Sequence, residues 1–157
     1  MKTIIFAGLF AGAVLFVVTG SSADKQGAVT AEKTDAEKAA KSDEAAMQGT
    51  WKGLSVSESP QHKVIFVVSG RHFDFHDETE TNNWYKGTFT LSEDTSPRQF
   101  IATITACPFP QYLGKTSKAI YKIEKGTLTI TANEPGKEGV PEDFDSEGAA
   151  CIEVTKK

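Results

Sequence analysis

The sequence predicts an all-β domain, an eight-stranded antiparallel meander closed into a barrel, standing behind an export segment and a polar tether. Three observations carry this. From Gly49 onward no helical period persists, and short β-rich runs recur about every ten residues. Within most of these runs apolar and polar residues alternate, which gives a sheet one apolar and one polar face. The links are mostly short and rich in turn-forming residues, so sequence neighbours become antiparallel neighbours in space. Eight strands suffice to pair the last with the first and leave no exposed edge.

The N-terminal segment is separate from this fold. Lys2 precedes an almost wholly apolar run, Ile4 to Val18, and Ser21-Ser22-Ala23 supplies small residues where a signal peptidase cuts. The run is shorter than the roughly 20 residues that span a bilayer. Residues 1–23 therefore read as a cleaved signal peptide, with an uncleaved anchor as the alternative, and the mature chain is expected to begin at Asp24. No Cys follows the apolar run, which argues against a lipid anchor. Residues 24–46 are rich in Ala, Lys, Glu, Asp, Ser and Thr and contain no aromatic residue. With only alanine to bury, they cannot offset the roughly 1–2 kcal/mol per residue of backbone ordering and read as a solvated tether. Its last turn, from Ser42 to Gln48, differs: Ser42 is a capping residue and Met47 an apolar one positioned to lie against the domain.

Residues 47–157 form the domain. The expected strands are Thr50–Ser57, Lys63–Ser69, His72–Asp77, Trp84–Leu91, Gln99–Cys107, Lys118–Glu124, Thr127–Ala132 and Ala149–Thr155. Ser69-Gly70 and Lys125-Gly126 provide tight hairpin turns. Alternation sends Tyr85, Gly87, Phe89 and Leu91 of the fourth run inward, with Phe100, Ala102, Ile104 and Ala106 of the fifth. Tyr121 and Ile123, Leu128 and Ile130, and Ile152 and Val154 continue the apolar face, and Cys107 and Cys151 fall on the outer one. The run from Val64 to Val68 is apolar on both faces, so its outside is expected to be covered by the tether's last turn or by the long C-terminal loop.

Gly49-Thr50-Trp51 now has a context. A G-x-W on the first strand resembles the lipocalin signature, in which the Trp packs at the closed end of the barrel under a short preceding helix. More closely, the segments "MQGTWK", "VVSGRHF", "YKGTFTL", "GKTSKAIYKIEKGTLTI" and "NEPGKEGVPEDFDS" resemble a family of small exported domains, mostly from planctomycete-type bacteria, described as lipocalin-like and of unknown function. The resemblance runs in order through essentially the whole domain and implies a calycin-type barrel with Gly49 and Trp51 in structural roles. It implies no activity. The chain departs from the pattern twice: lipocalins usually place an Arg near the last strand to stack on the Trp, where "CIEVTKK" offers Lys156 and Lys157, and Val140 stands where the bacterial family tends to have Arg.

The formal net charge is −4, and removal of residues 1–23 takes away one Lys and no acid. No Lys/Arg cluster exists to neutralise phosphates, which argues against nucleic acid or an anionic membrane surface as a partner. Cys107 and Cys151 are too far apart in sequence for a metal knuckle or a redox pair. In an oxidising compartment a single disulfide between them is the favoured reading, since the end of the fifth strand and the start of the eighth share a rim. Two free buried thiols are the alternative.

"RHFDFHD" puts His72, Asp74 and His76 on one face of a strand. The two histidines stand roughly 13 Å apart, too far to share one ion without a bulge. The acidic stretches 77–80 and 142–147 lack the spacing of a calcium loop, and no metal site or cofactor is expected. Nucleophile-elbow, zincin and phosphate-loop signatures are absent, and no glycosidase carboxylate pair can be singled out.

The expected function is therefore that of a non-catalytic exported domain, periplasmic or extracellular, binding a small apolar ligand in or at the mouth of the barrel. Tyr85, Phe89, Phe100 and Tyr121 are the candidate ligand-binding residues. The competing class is a protein-interaction or structural module with a filled barrel. An eight-stranded barrel is just wide enough for its side chains or one small ligand, and this one sends in Trp51, Phe73, Phe75, Tyr85, Phe89, Phe100 and Tyr121. "PFPQY", Pro108 to Tyr112, sets two rings among prolines as a lip of the mouth or a contact patch.

Overall fold

The computed structural model describes residues 43–157. The expected signal segment, its expected cleavage site and the expected tether up to residue 42 lie outside the described residues. Eight strands run as a meander: β1 (Gly49–Ser55), β2 (His62–Ser69), β3 (His72–Asp77), β4 (Trp84–Ser92), β5 (Arg98–Ala106), β6 (Thr116–Glu124), β7 (Thr127–Ala132) and β8 (Ala150–Lys156). Every neighbouring pair is antiparallel, and β8 returns to pair with β1, Gly53 opposite Val154, closing the barrel. The strand boundaries fall within two residues of those read from the sequence. The alternation that predicted them is the alternation that fills the inside.

The two ends differ. Tight links join β2 to β3, β4 to β5 and β6 to β7 at one end, the floor. Lys125 and Gly126 both adopt positive φ, 51° and 82°, as a two-residue turn between right-twisted strands requires. The links at the other end, the mouth, are longer, and the one from β7 to β8 spans residues 133–149.

Residues 43–47 form a helical turn that seals the floor. Met47 is completely buried, and the Trp51 indole, 2% exposed, donates Nε1–H to the Met47 carbonyl at 2.7 Å. Gln48 spans to the β2–β3 turn by accepting from the Gly70 N–H (2.7 Å) and donating to the Gly70 carbonyl (3.0 Å). Asp43 accepts from the Tyr121 hydroxyl at 2.8 Å and pairs with Arg98 at 2.5 Å. Lys156 sets its ammonium 5.4 Å from the Trp51 ring centroid and donates to the Ala46 carbonyl. Of the two lysines at the end of the chain, Lys156 is thus the one that lies over the indole.

Two expectations are corrected. Cys107 and Cys151 are free thiols, not a disulfide. Gly87 pairs with Ile104 but Lys86 with Ala106, so Thr105 is an extra residue, a β-bulge, and every position after it changes face. Ala106 therefore shares the outer face with Lys86. Cys107 turns to the core, its thiol donating to the Phe109 carbonyl at 3.1 Å. Cys151 stays on the outer face opposite Thr131, so the two sulfurs lie on opposite sides of the wall. Gly87 accommodates the bulge: a Cβ there would stand 2.0 Å from the Thr103 carbonyl oxygen and 2.8 Å from the Phe73 ring.

The second correction concerns the outer cover. Ile65 and Val67 of β2 are only partly buried. The β7–β8 loop instead lies across the outside of β6 to β8, where the Phe144 carbonyl accepts from Thr131 and the Phe144 ring meets the Lys122 ammonium at 4.6 Å. Ile120, Thr131 and Cys151 are buried on that outer face, and burial pushes the Cys151 thiol pKa up.

Trp51 is the largest side chain in the floor, and truncation leaves a cavity that Met47 and the strands around it cannot collapse to fill. Trp51→Ala is expected to lower the unfolding free energy by about 3–5 kcal/mol, measured by denaturant titration. A loss under about 1 kcal/mol contradicts the packing described.

Candidate functional site

Inside the barrel the aromatic residues crowd the floor half. Phe89 stacks on Phe100 with ring centroids 4.6 Å apart, and Phe66, Phe73 and Phe100 form a mutual triad at 6.1–6.2 Å. Above this triad the strands contribute short side chains, Ala102, Ser117, Ala119, Ala132 and Ala150, and the space is not filled. The result is a cavity of about 280 Å³ whose walls include Phe66, Phe73, Phe75, Tyr85, Phe100, Ile104, Ile130 and Ile152. Its upper wall is made by Tyr112 from the β5–β6 link and by Asn133, Glu134, Pro135 and Gly148 from the β7–β8 loop. The position follows from the sequence: rings at inward positions near the floor, alanines at inward positions near the mouth.

Of the four candidate ligand-binding residues, Tyr85 and Phe100 line this cavity. Phe89 and Tyr121 lie beneath it, Tyr121 with its hydroxyl turned down to Asp43. Burial and that hydrogen bond raise the Tyr121 pKa. Burial also pushes the Tyr85 hydroxyl up to about 12, with Tyr112, Cys107 and Glu134 adding to the rise. Tyr85 stacks on Phe109 and tilts against Tyr112, centroids 6.0 and 6.4 Å apart. The Pro110–Tyr112 turn is thus a lip folded onto the rim. The Tyr112 hydroxyl donates to Glu134 Oε1, tying that lip to the β7–β8 loop. Only Leu113, just beyond it, is left as a large exposed apolar side chain in this segment. Phe66 and Glu134 were not legible as site residues. Phe66 sits in a run apolar on both faces, and Glu134 is one acid among several in a polar loop.

The histidine face of β3 is an ion-paired outer surface. Asp74 lies 2.6 Å from His76 Nε2 and 2.7 Å from Lys86 Nζ, and His72 takes no part. Among the described residues the one group with ligand atoms close enough for a metal is His62, Asp77 and Glu80, of which the acidic stretch 77–80 was singled out in the sequence and His62 was not. There Asp77, 4% exposed, organises the β3–β4 link. Burial alone raises its pKa, but the Glu80 N–H, the His62 imidazole, the Thr79 N–H and the Asn83 amide outweigh burial and hold the carboxyl below its ordinary value. These protein donors engage both oxygens of the carboxylate, and the geometry is that of a loop clamp. The Asp77 hydrogen bond in turn raises the His62 pKa above 6.5, against a smaller lowering by burial.

The chain matches no protein-family model, no curated protein and no solved structure. What stands is a closed eight-stranded antiparallel barrel with a sealed floor and a cavity under its mouth.

His62 is raised in the folded state, so its contribution to stability is complete below pH 6.5 and is lost as pH rises through the folded-state value. Proton NMR of the imidazole is expected to give a midpoint above 6.5 that Asp77→Asn moves down. A wild-type midpoint below 6.5 contradicts the clamp.

Proposed function

We propose that this chain is an exported, non-catalytic, lipocalin-like binding domain that takes a small apolar ligand into the upper half of its barrel. The observation that carries the reading is the unfilled apolar space of about 280 Å³ above the phenylalanine triad. Interiors normally pack to crystal-like density, and a void of this size forfeits dispersion contacts that larger side chains at Ala102 or Ala119 would supply. A cavity of about 150 Å³ lined by aliphatic and aromatic groups stays dry and takes benzene. By proportion this one accommodates a group of about ten carbons. The competing reading, an interaction or structural module, needs an inside that its own side chains fill, and the alanines at the mouth do not fill it.

Filling the space from within separates the two. In Ala102→Phe the added ring occupies the cavity, so thermal stability is expected to be unchanged or higher. Saturable binding of naphthalene to the wild type, followed by chemical-shift changes at Phe73 and Ile130, is expected to disappear in the variant. Destabilisation by about 1–3 kcal/mol, the usual cost of overpacking, together with no naphthalene binding to the wild type, would show a filled barrel and contradict the proposal.

A further inference from the structure

Resting on the reading of the barrel as a binding domain, we infer that its ligand is an amphiphilic cation. Its ammonium-type head sits in the neck between Glu134 and the rings of Phe75, Tyr85 and Tyr112, and its tail of about ten carbons lies in the cavity.

Three independent features of the mouth point this way. The neck is aromatic on one side: Phe75 and Tyr85 lie 6.2 Å apart by ring centroid, Tyr85 and Tyr112 6.4 Å, and all three line the opening. Ring faces carry negative potential and attract a cation within about 6 Å, most strongly where water is partly excluded. Beside Tyr112, on the β7–β8 loop, stands Glu134. Its Oε1 accepts the Tyr112 hydroxyl, which fixes the carboxylate at the rim. No salt bridge among the described residues engages Glu134, which stands exposed at the opening.

The third feature is the field around the opening. The four links at the mouth, residues 56–61, 78–83, 107–115 and 133–149, carry nine acidic side chains against two lysines, and of those acids Glu78 and Glu138 pair with Lys52 and Lys118 of the wall. At the floor the three links, residues 70–71, 93–97 and 125–126, and the helical turn 43–47 carry four acids and two bases, and Asp43 and Glu44 among those acids are paired with Arg98 and Arg71. The negative potential is thus concentrated at the end that opens, where it steers cations in and turns carboxylates away. A neutral alcohol is left with the Tyr85 hydroxyl as its polar contact and gains nothing from Glu134 or from the field.

Three probes sharing one tail isolate the head group: n-octylammonium, n-octanol and n-octanoate, titrated calorimetrically into the purified chain at low and at physiological ionic strength. The expected order is ammonium tightest by about tenfold over the alcohol, octanoate weakest, and an ammonium preference that shrinks as salt screens the loops. In Glu134→Gln the ratio of ammonium to alcohol affinity is expected to fall toward one. An alcohol that binds as tightly as the ammonium, octanoate as the best of the three, or a ratio unmoved by Glu134→Gln overturns the cationic head while leaving the cavity reading in place. Failure of all three to bind overturns both.

Discussion

The bond from the Trp51 indole to the Met47 carbonyl, with Met47 buried beneath it, is the constraint on which the barrel's geometry depends. A closed meander has two open ends, and eight strands enclose too little width to leave both open and still bury a core. The chain closes one end with the helical turn immediately before β1 and pins that turn from several directions. Gln48 holds the β2–β3 turn, Asp43 holds Tyr121 and Arg98, and Lys156 reaches back from the last strand to the indole face and to Ala46. First and last strands therefore meet the same plug, which fixes closure and the position of the floor together.

The upper half of the barrel takes its character from where that floor sits. The large rings stack upward from Trp51 through Phe89, Phe100, Phe66 and Phe73, and the core is complete halfway up. On β5 to β8 the inward positions of the upper half are alanine, serine and a few branched residues, and the rings of Phe75 and Tyr85 from β3 and β4 do not fill the space these leave. The long links stand at this same end, free of the register that binds the hairpins at the floor, and they carry the acidic side chains and the Tyr112–Glu134 contact. Close packing is concentrated at one end and the unfilled space and long links at the other, the usual division between a rigid scaffold and the loops it positions.

The strands were legible because period-two alternation is both the sequence signal and the physical cause of an inside and an outside. Gly49 and Trp51 were legible through the resemblance of their G-x-W to the lipocalin signature, which implies a ring at a closed end, and Trp51 does lie there, buried against Met47. The face of Cys107 was not legible. One extra residue at Thr105 inverts the alternation, and a bulge leaves no pattern in its own strand; its trace is Gly87 on the partner strand, where a Cβ would meet Thr103 and Phe73. The disulfide expectation failed with it. The outer cover was misplaced for a related reason. β2 advertises two apolar faces, yet its neighbours leave Ile65 and Val67 only partly buried. The loop settles instead on the threonine-rich face of β6 to β8, drawn by Ile120 and anchored through Phe144. Of the candidate ligand residues, Tyr85 and Phe100 line the cavity and Phe89 and Tyr121 do not. Alternation tells which way a side chain points and nothing of how far up the barrel the packing ends.

The central claim, a barrel packed at its floor and open at its mouth, is tested most directly by diffraction from crystals held under xenon, which marks accessible apolar space without needing a natural ligand. The account predicts xenon density between Phe73, Phe100, Ile130 and Ile152, and none around Trp51, Met47 and Leu128, which are fully enclosed. Xenon beside Trp51, or none within the barrel, would contradict it.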